Sequence, residues 1–192
     1  MRTRHVLTSG LAAVSLFTLA ACSAPGDGPV GGPDTVPGGA ASCLDGSWNL
    51  DEQALADDLG ENMTAAGVTV ISSDATGGVH MTVSGDTWTW VSDVTYTMVI
   101  NAGEGLTMVT NQLQSGESTG HWSVESDRVV FSDFESGITI TNDTTINGMP
   151  AGTTTTELPT SGEGVPMEVL CEGDSLSTHP DGSPFTSYWN RE

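Results

Sequence analysis

Three cysteines, Cys22, Cys43 and Cys171, are the residues of this chain whose chemistry is most constrained by number and placement. A thiol can form a disulfide, bind a metal or carry a covalent modification. Because the number is odd, at least one cysteine has no partner in an intramolecular disulfide. Cys22 stands apart from the other two, since it directly follows the only long apolar run of the chain.

Residues 1–21 have the three-part layout of a secretory signal peptide. Arg2 and Arg4 supply a positively charged start, residues 6–20 form an apolar stretch, and small residues close the segment. The apolar stretch is shorter than the roughly 20 residues that a permanent membrane helix needs. We therefore expect this segment to export the chain and to be removed.

The end of this segment, Leu19-Ala20-Ala21-Cys22, resembles the lipobox of bacterial lipoproteins. The resemblance covers residues 1–22 and implies that the Cys22 thiol is alkylated with diacylglycerol and becomes the mature N-terminus. Two or three acyl chains anchor a protein stably, because each buried methylene contributes about 0.8 kcal/mol. The prediction is a lipid anchor on the extracytoplasmic side of the cell membrane. The alternative is an ordinary signal peptide in which Cys22 has no special role.

With Cys22 lipidated, Cys43 and Cys171 form an even pair in an oxidising compartment, where disulfides persist. Cys43 lies just before the first predicted strand, and Cys171 ends a late one. The sequence therefore predicts a disulfide that joins the beginning of the folded region to its end. Two buried free thiols are the alternative.

Other chemistry-bearing residues form no recognisable catalytic or metal-binding pattern. His80, His121 and His179 are scattered, without metal-ligand spacing relative to one another or to the cysteines. Neither a His-Glu-x-x-His nor a Walker A sequence is present, and no pair of carboxylates stands out by its spacing. The sequence thus predicts a protein that is not an enzyme and needs neither a metal nor another cofactor.

Charge excludes one large class of partners. The chain contains no lysine, and removal of residues 1–21 leaves Arg128 and Arg191 against 25 acidic residues. Such an acidic protein repels phosphate-rich surfaces, so binding to nucleic acid through a basic patch is excluded. Solubility outside the cell is the simplest reason for the acidity, and an acidic binding surface is the alternative.

Composition divides the mature chain into a tether and one domain. Residues 22–42 are rich in Gly and Pro without periodicity, which predicts a tether. Residues 43–192 alternate with a period of two between turn signals, and five tryptophans argue against disorder. A helix is expected over 51–63, capped by Asp51, directly after a first strand at 46–50. Nine or ten short strands predict an all-β domain, an antiparallel up-and-down barrel or alternatively a β-sandwich.

Gly46, Trp48 and Arg191 resemble the strand ends of lipocalin-type barrels. In that family a tryptophan in the first strand closes one end of the barrel and a late arginine packs across it. The resemblance implies that Trp48 and Arg191 form a cation–π pair. A helix directly after the first strand is more like the fatty-acid-binding barrels. The order of elements is also similar to small actinobacterial lipoproteins with lipocalin-like domains.

An eight-stranded barrel is just wide enough to fill itself or to hold one small ligand. The candidates to line such a cavity are Trp88, Trp90, Tyr96, Met98 and Met108. The alternative is that these side chains simply fill the core. We therefore expect an anchored, non-catalytic lipoprotein that binds a small apolar molecule in its barrel. The second hypothesis is an envelope interaction or scaffold protein with a filled core, which meets an unidentified partner through its surface.

Overall fold

The computed structural model describes residues 43–158 and 164–192, so Cys22 and the predicted tether lie outside the described residues. The described part is 68% strand with one short helix. The elements along the chain are β1 (Gly46–Leu50), α1 (Glu52–Ala65), β2 (Thr69–Ser84), β3 (Thr87–Asn101), β4 (Thr107–Glu125), β5 (Arg128–Ser136), β6 (Thr139–Ile146), β7 (Met149–Glu157), β8 (Pro166–Glu172), β9 (Ser175–Pro180) and β10 (Ser187–Arg191).

Eight of the ten strands close into a ring. The order β1-β2-β3-β4-β5-β8-β9-β10 returns from β10 to β1, and every neighbouring pair is antiparallel. The predicted all-β antiparallel fold, with one short helix after the first strand, is confirmed, and its ring is barrel-like.

The remaining two strands form a hairpin outside the ring. β6 pairs with the first half of β4, whereas β5 pairs with the second half of the same strand. β2, β3 and β4 continue past the ring and, together with β6 and β7, form a five-stranded sheet. We call this the projecting sheet; it comprises residues 69–77, 94–101, 107–115, 139–146 and 149–157.

Strand lengths differ from the sequence prediction at two places. Short strands are expected, but residues 69–77 and 114–120, which are rich in small and polar residues, lie within the long strands β2 and β4. Each of these polar stretches pairs with β3, which lies between β2 and β4, and this pairing keeps both stretches extended. The threonine run of residues 153–156, expected to form an edge strand within a loop, forms the middle of β7.

Helix α1 begins where the sequence predicts. The Asp51 carboxylate accepts a hydrogen bond from the amide of Ala54 at 3.0 Å, and Glu52 adds a negative charge in the first turn. After the helix, Gly67 takes a positive φ of 90°, which favours glycine. Leu55 and Ala56 face the core, so α1 covers one end of the ring, which we call the helix end.

Tryptophans dominate the interior of the ring. Trp48, Trp88 and Trp189 are almost fully buried, and Trp90 packs edge-on against Trp189 with ring centroids 5.7 Å apart. Trp88 also lies 5.1 Å from the ring of Phe131. Large aromatic side chains thus supply much of the apolar burial in a chain that has few large aliphatic residues.

The opposite end of the ring, which we call the cysteine end, is closed covalently. Cys43 and Cys171 form a disulfide with their Cα atoms 6.3 Å apart, which confirms the predicted pairing. The bond spans 128 residues of sequence and joins the segment before β1 to β8. Such a long loop restricts the unfolded chain strongly.

We predict that the double variant Cys43→Ser/Cys171→Ser loses up to about 5 kcal/mol of unfolding free energy, because the unfolded chain regains the entropy of the open loop. Urea unfolding followed by tryptophan fluorescence measures the loss. Reductant should lower the stability of the original protein and leave the double variant unchanged. An unaltered unfolding midpoint in the double variant would show that the disulfide contributes nothing.

Candidate interaction surface

The predicted pair at the barrel end is brought together. The guanidinium carbon of Arg191 lies 4.2 Å from the centroid of the Trp48 ring. Its two terminal nitrogens donate hydrogen bonds to the carbonyls of Asp45 at 3.1 Å and Cys43 at 3.2 Å. The indole N–H of Trp48 donates to the Leu44 carbonyl at 2.9 Å. Both side chains therefore hold the segment before β1 against the cysteine end of the ring.

Gly46 completes this arrangement. Its φ of 140° belongs to a region that side chains rarely adopt, and a Cβ atom there would collide with a guanidinium nitrogen of Arg191. Glycine, tryptophan and arginine are thus linked by close approach: the backbone at Gly46 leaves the space that the guanidinium occupies over Trp48.

We predict that Gly46→Ala lowers the unfolding free energy by about 1–3 kcal/mol, from backbone strain and from the collision with Arg191. Gly152→Ala is the matched control, because Gly152 has a φ of 155° and nothing within 4 Å. Chemical denaturation of both variants separates strain from collision. Equal losses in the two variants would mean that the contact with Arg191 carries no part of the effect.

Of the five candidate cavity residues, Trp88, Trp90 and Tyr96 belong to one buried cluster, whereas Met98 and Met108 lie outside it. Trp88 and Trp90 lie in the ring, whereas Met98 and Met108 belong to the projecting sheet. The ten residue steps from Trp88 to Met98 along β3 span roughly 33 Å. Tyr96 lies between them and is buried. All five share one side of β3 and β4, but β3 runs on beyond the ring and carries them apart.

Two surface depressions occur in the described part of the chain, and both open to solvent. One, of about 560 Å³, lies between α1 and β2 and is lined by Asp57, Gly60, Glu61, Thr64, Ala65, Val70 and Ser73. The other, of about 320 Å³, lies on the outer side of β3, β4 and β5. Of the five candidate residues, only Trp88 borders either depression.

Hydrogen bonding inside the ring leaves two indoles unsatisfied. Trp88 donates to the His121 carbonyl and Trp189 to the Thr178 hydroxyl, both at 3.1 Å. The indole nitrogens of Trp90 and Trp122 are buried with no hydrogen-bond partner in the described residues. Buried donors without a partner are uncommon, so these two positions bear on whether the ring accepts a ligand.

Tyr96 is the titratable side chain most altered by the fold. Burial raises the pKa of its phenol well above the ordinary value, and the charge of Glu52 raises it further. The Glu52 carboxylate itself accepts a hydrogen bond from the amide of Val79 at 2.7 Å. A phenol held neutral in this way belongs to the packing between α1 and the sheet.

The expectation that the sequence contains no Gly-x-Ser-x-Gly spacing is wrong. Residues 116–120 read Gly-Glu-Ser-Thr-Gly, the spacing of a nucleophile elbow. That motif requires an exposed serine on a sharp strand-to-helix turn, whereas Ser118 is buried in mid-strand and donates to the Ser136 hydroxyl at 3.1 Å. The glycines serve packing: a Cβ at Gly116 would collide with the Gly137 carbonyl, and one at Gly120 would lie 2.9 Å from the Trp88 ring.

The three histidines of the domain remain apart. His80 lies 3.3 Å from Glu192, His121 lies 3.7 Å from Asp86, and His179 hydrogen-bonds to Thr186 at 3.1 Å. Within the described residues, no group of three or more His, Cys, Asp or Glu side chains is placed to hold a metal ion.

On the side away from α1, the projecting sheet carries regular rows of side chains that are polar except for the exposed Leu113. One row, with one residue per strand, is Thr76, Thr95, Leu113, Thr141 and Thr155. The next row is Asp74, Thr97, Asn111, Asp143 and Thr153. Hydrogen bonds link neighbours within the rows, such as Thr97 to Asn111 at 2.9 Å and Thr141 to Thr155 at 3.1 Å. Sequence reasoning missed this face, because it appears only when the register is known.

The β6–β7 hairpin is the most exposed part of this sheet. All nine residues of β7 are exposed, including Met149 at 68%. Among the described elements, the hairpin has extensive contacts only with β4. This hairpin and the polar rows together form the candidate interaction surface.

No protein-family model, curated protein or solved structure gives a significant match to this chain. The described residues include no helix with the length and apolar character that crossing a membrane requires.

Proposed function

We propose that this protein is a non-catalytic interaction protein, held on the extracytoplasmic side of the cell membrane by a lipid on Cys22, which meets a partner through the projecting sheet. One observation carries the proposal. Tryptophans pack in the ring interior, while the β6–β7 hairpin lies outside the ring and all nine residues of β7 are exposed.

The energetics of the hairpin support a role at the surface. Ordering each backbone residue costs roughly 1–2 kcal/mol, and exposed side chains return little of this through apolar burial. β7 in particular buries none of its nine residues. Such a hairpin contributes little to the stability of the core. Its exposed surface is therefore the feature that can serve a function.

The two ends of the ring support an orientation. Cys43, where the described chain starts, lies at the cysteine end, and the projecting sheet extends beyond the helix end. The 15 residues of β3 run from one end to the other, a distance of roughly 50 Å. With Cys22 in the membrane, the predicted tether of residues 22–42 is attached at the cysteine end, and the projecting sheet lies at the end of the domain away from this attachment.

Charge narrows the class of partner. With a formal net charge of −21, the chain repels anionic surfaces, so a partner with a neutral or cationic contact surface fits best. Nucleic acid is excluded on the same ground.

Carriage of a small apolar ligand is the second candidate function. The buried indole nitrogens of Trp90 and Trp122, which have no partner among the described residues, favour it. An apolar molecule with one hydrogen-bond acceptor would satisfy such a donor inside the ring.

Anchoring is tested by Cys22→Ala, which removes the thiol that would receive the lipid. We expect the variant to appear in the culture medium while the original protein sediments with membranes, as measured by immunoblotting of both fractions. Cys171→Ser is the control, because it removes a cysteine without touching the lipidation position. Membrane retention of Cys22→Ala would contradict the anchor.

Native mass spectrometry of the mature protein, released from membranes in detergent, separates the two functions. A filled ring predicts the mass of the lipidated chain alone. A bound small molecule that is lost in Trp90→Phe, which keeps the aromatic ring and removes the N–H donor, would favour carriage. Bare masses for both proteins support the interaction protein.

A further inference from the structure

We propose that β7 pairs edge-to-edge with β7 of a second copy of this chain, which joins two projecting sheets into one. This inference rests on the proposed function, since it names the partner of the projecting sheet. It is carried by the difference between the two backbone edges of that sheet.

One edge is already closed. Residues 69–77 of β2 form it, and the Gln53 side chain of α1 lies along it like a neighbouring strand. The Gln53 amide oxygen accepts from the amide of Ala75 and its nitrogen donates to the carbonyl of Ser73, both at 3.1 Å. The Gln53 side chain therefore hydrogen-bonds to backbone groups of β2 that β3 leaves unpaired.

The other edge is open within the described residues. β7 is the last strand of the sheet and pairs there with β6 alone. The amide of Leu158 donates to the Ile138 carbonyl at 2.9 Å, and this bond shows which residues of β7 hydrogen-bond to β6 and which do not. In an antiparallel pair, every second residue turns its N–H and C=O away from its neighbour. In the regular part of the ladder, the residues whose N–H and C=O face outward are Thr153, Thr155 and Glu157.

β7 also lacks the usual protection of an exposed edge. Natural edge strands carry charges, prolines or bulges that block pairing. In β7 these devices lie at the two ends: Pro150 and a bulge at the start, and Glu157 at the finish. The four threonines between them, residues 153–156, are uncharged and β-branched, which favours strand pairing.

A second copy is the occupant that these features favour. Two chains of net charge −21 repel each other over most of their surfaces, and β7 is uncharged over residues 149–156. An antiparallel pair of identical strands satisfies a two-fold axis, so each copy offers the same edge to the other. Threonines facing each other across strands already hydrogen-bond in this sheet, as Thr141 and Thr155 do.

Confinement to a membrane would strengthen such a contact. A single pair of edge strands buries little area, so we expect a concentration-dependent dimer rather than a permanent one. Anchored copies share a thin layer, which raises their effective concentration. Antiparallel pairing also reverses the second copy, so the paired strands lie along the membrane, and the predicted tethers of residues 22–42 let both cysteine ends stay anchored.

Cysteine cross-linking in membranes tests the pairing on the full chain. Single variants Thr153→Cys, Thr154→Cys, Thr155→Cys and Thr156→Cys each add one thiol to β7, and Thr82→Cys places one on an exposed strand position of the ring. Paired antiparallel strands bring Cα atoms within the 4.4–6.8 Å that a disulfide needs. Mild oxidation should yield about tenfold more dimer for at least one β7 variant than for Thr82→Cys. Equal yields, or cross-links to a different protein, would overturn the proposal.

A backbone variant supplies the second test. Thr155→Pro removes an outward N–H but no donor to β6, and edge strands tolerate proline at such positions. Thr155→Val keeps the N–H and the shape of the side chain. In the background of whichever of Thr153→Cys, Thr154→Cys and Thr156→Cys cross-links most, the proline should lower the dimer yield about tenfold and the valine should leave it unchanged. Loss with both, or with neither, would contradict backbone pairing at this edge.

The outcomes separate this inference from the proposed function. Absence of cross-linking, together with a bare mass in native mass spectrometry, would leave an interaction protein whose partner is another molecule. A bound ligand in native mass spectrometry would overturn the proposed function whatever β7 does.

Discussion

The uninterrupted pairing of β3 with β4 is the interaction on which both parts of this structure depend. Fifteen residue pairs run from Thr87 opposite His121 to Asn101 opposite Thr107. Over its first half, this ladder forms the wall of the ring and turns Trp88 and Trp90 inward. Over its second half, it forms the centre of the projecting sheet. Because side chains alternate strictly across a strand, one register fixes both the packed interior and the polar rows outside.

The outer edge of β4 is divided, and this division creates the open strand. β5 occupies the part of β4 from Ser118 onward, and β6 occupies the part up to Ser115. The division requires backbone segments to approach closely at Gly116 and Gly137. A Cβ at Gly116 would collide with the Gly137 carbonyl, and one at Gly137 would lie 2.9 Å from the Glu117 carbonyl. Side chains at these positions would therefore force the two branches apart.

These features explain how much the sequence could predict. Alternation of apolar residues predicted strands such as β1 and β9, and the aspartate before the helix predicted its N-cap, because both signals are local in sequence. The number of cysteines predicted the disulfide. Residues 69–77 have no such signal, since their extended form comes from pairing with β3. The open edge of β7 and the closing role of Gln53 could not be predicted, because both depend on which strands become neighbours.

The disulfide is attached to β8, the strand with the shortest pairing in the ring. β8 meets β5 through only two residue pairs, Val129 with Met167 and Val130 with Pro166, whereas it meets β9 through six. A strand held so weakly on one side relies on its other attachments. Cys171 lies on β8, and its bond to Cys43 ties that strand to the segment that Arg191 holds over Trp48. The disulfide and the guanidinium thus secure the same end of the ring, and the β3–β4 ladder can extend freely at the other.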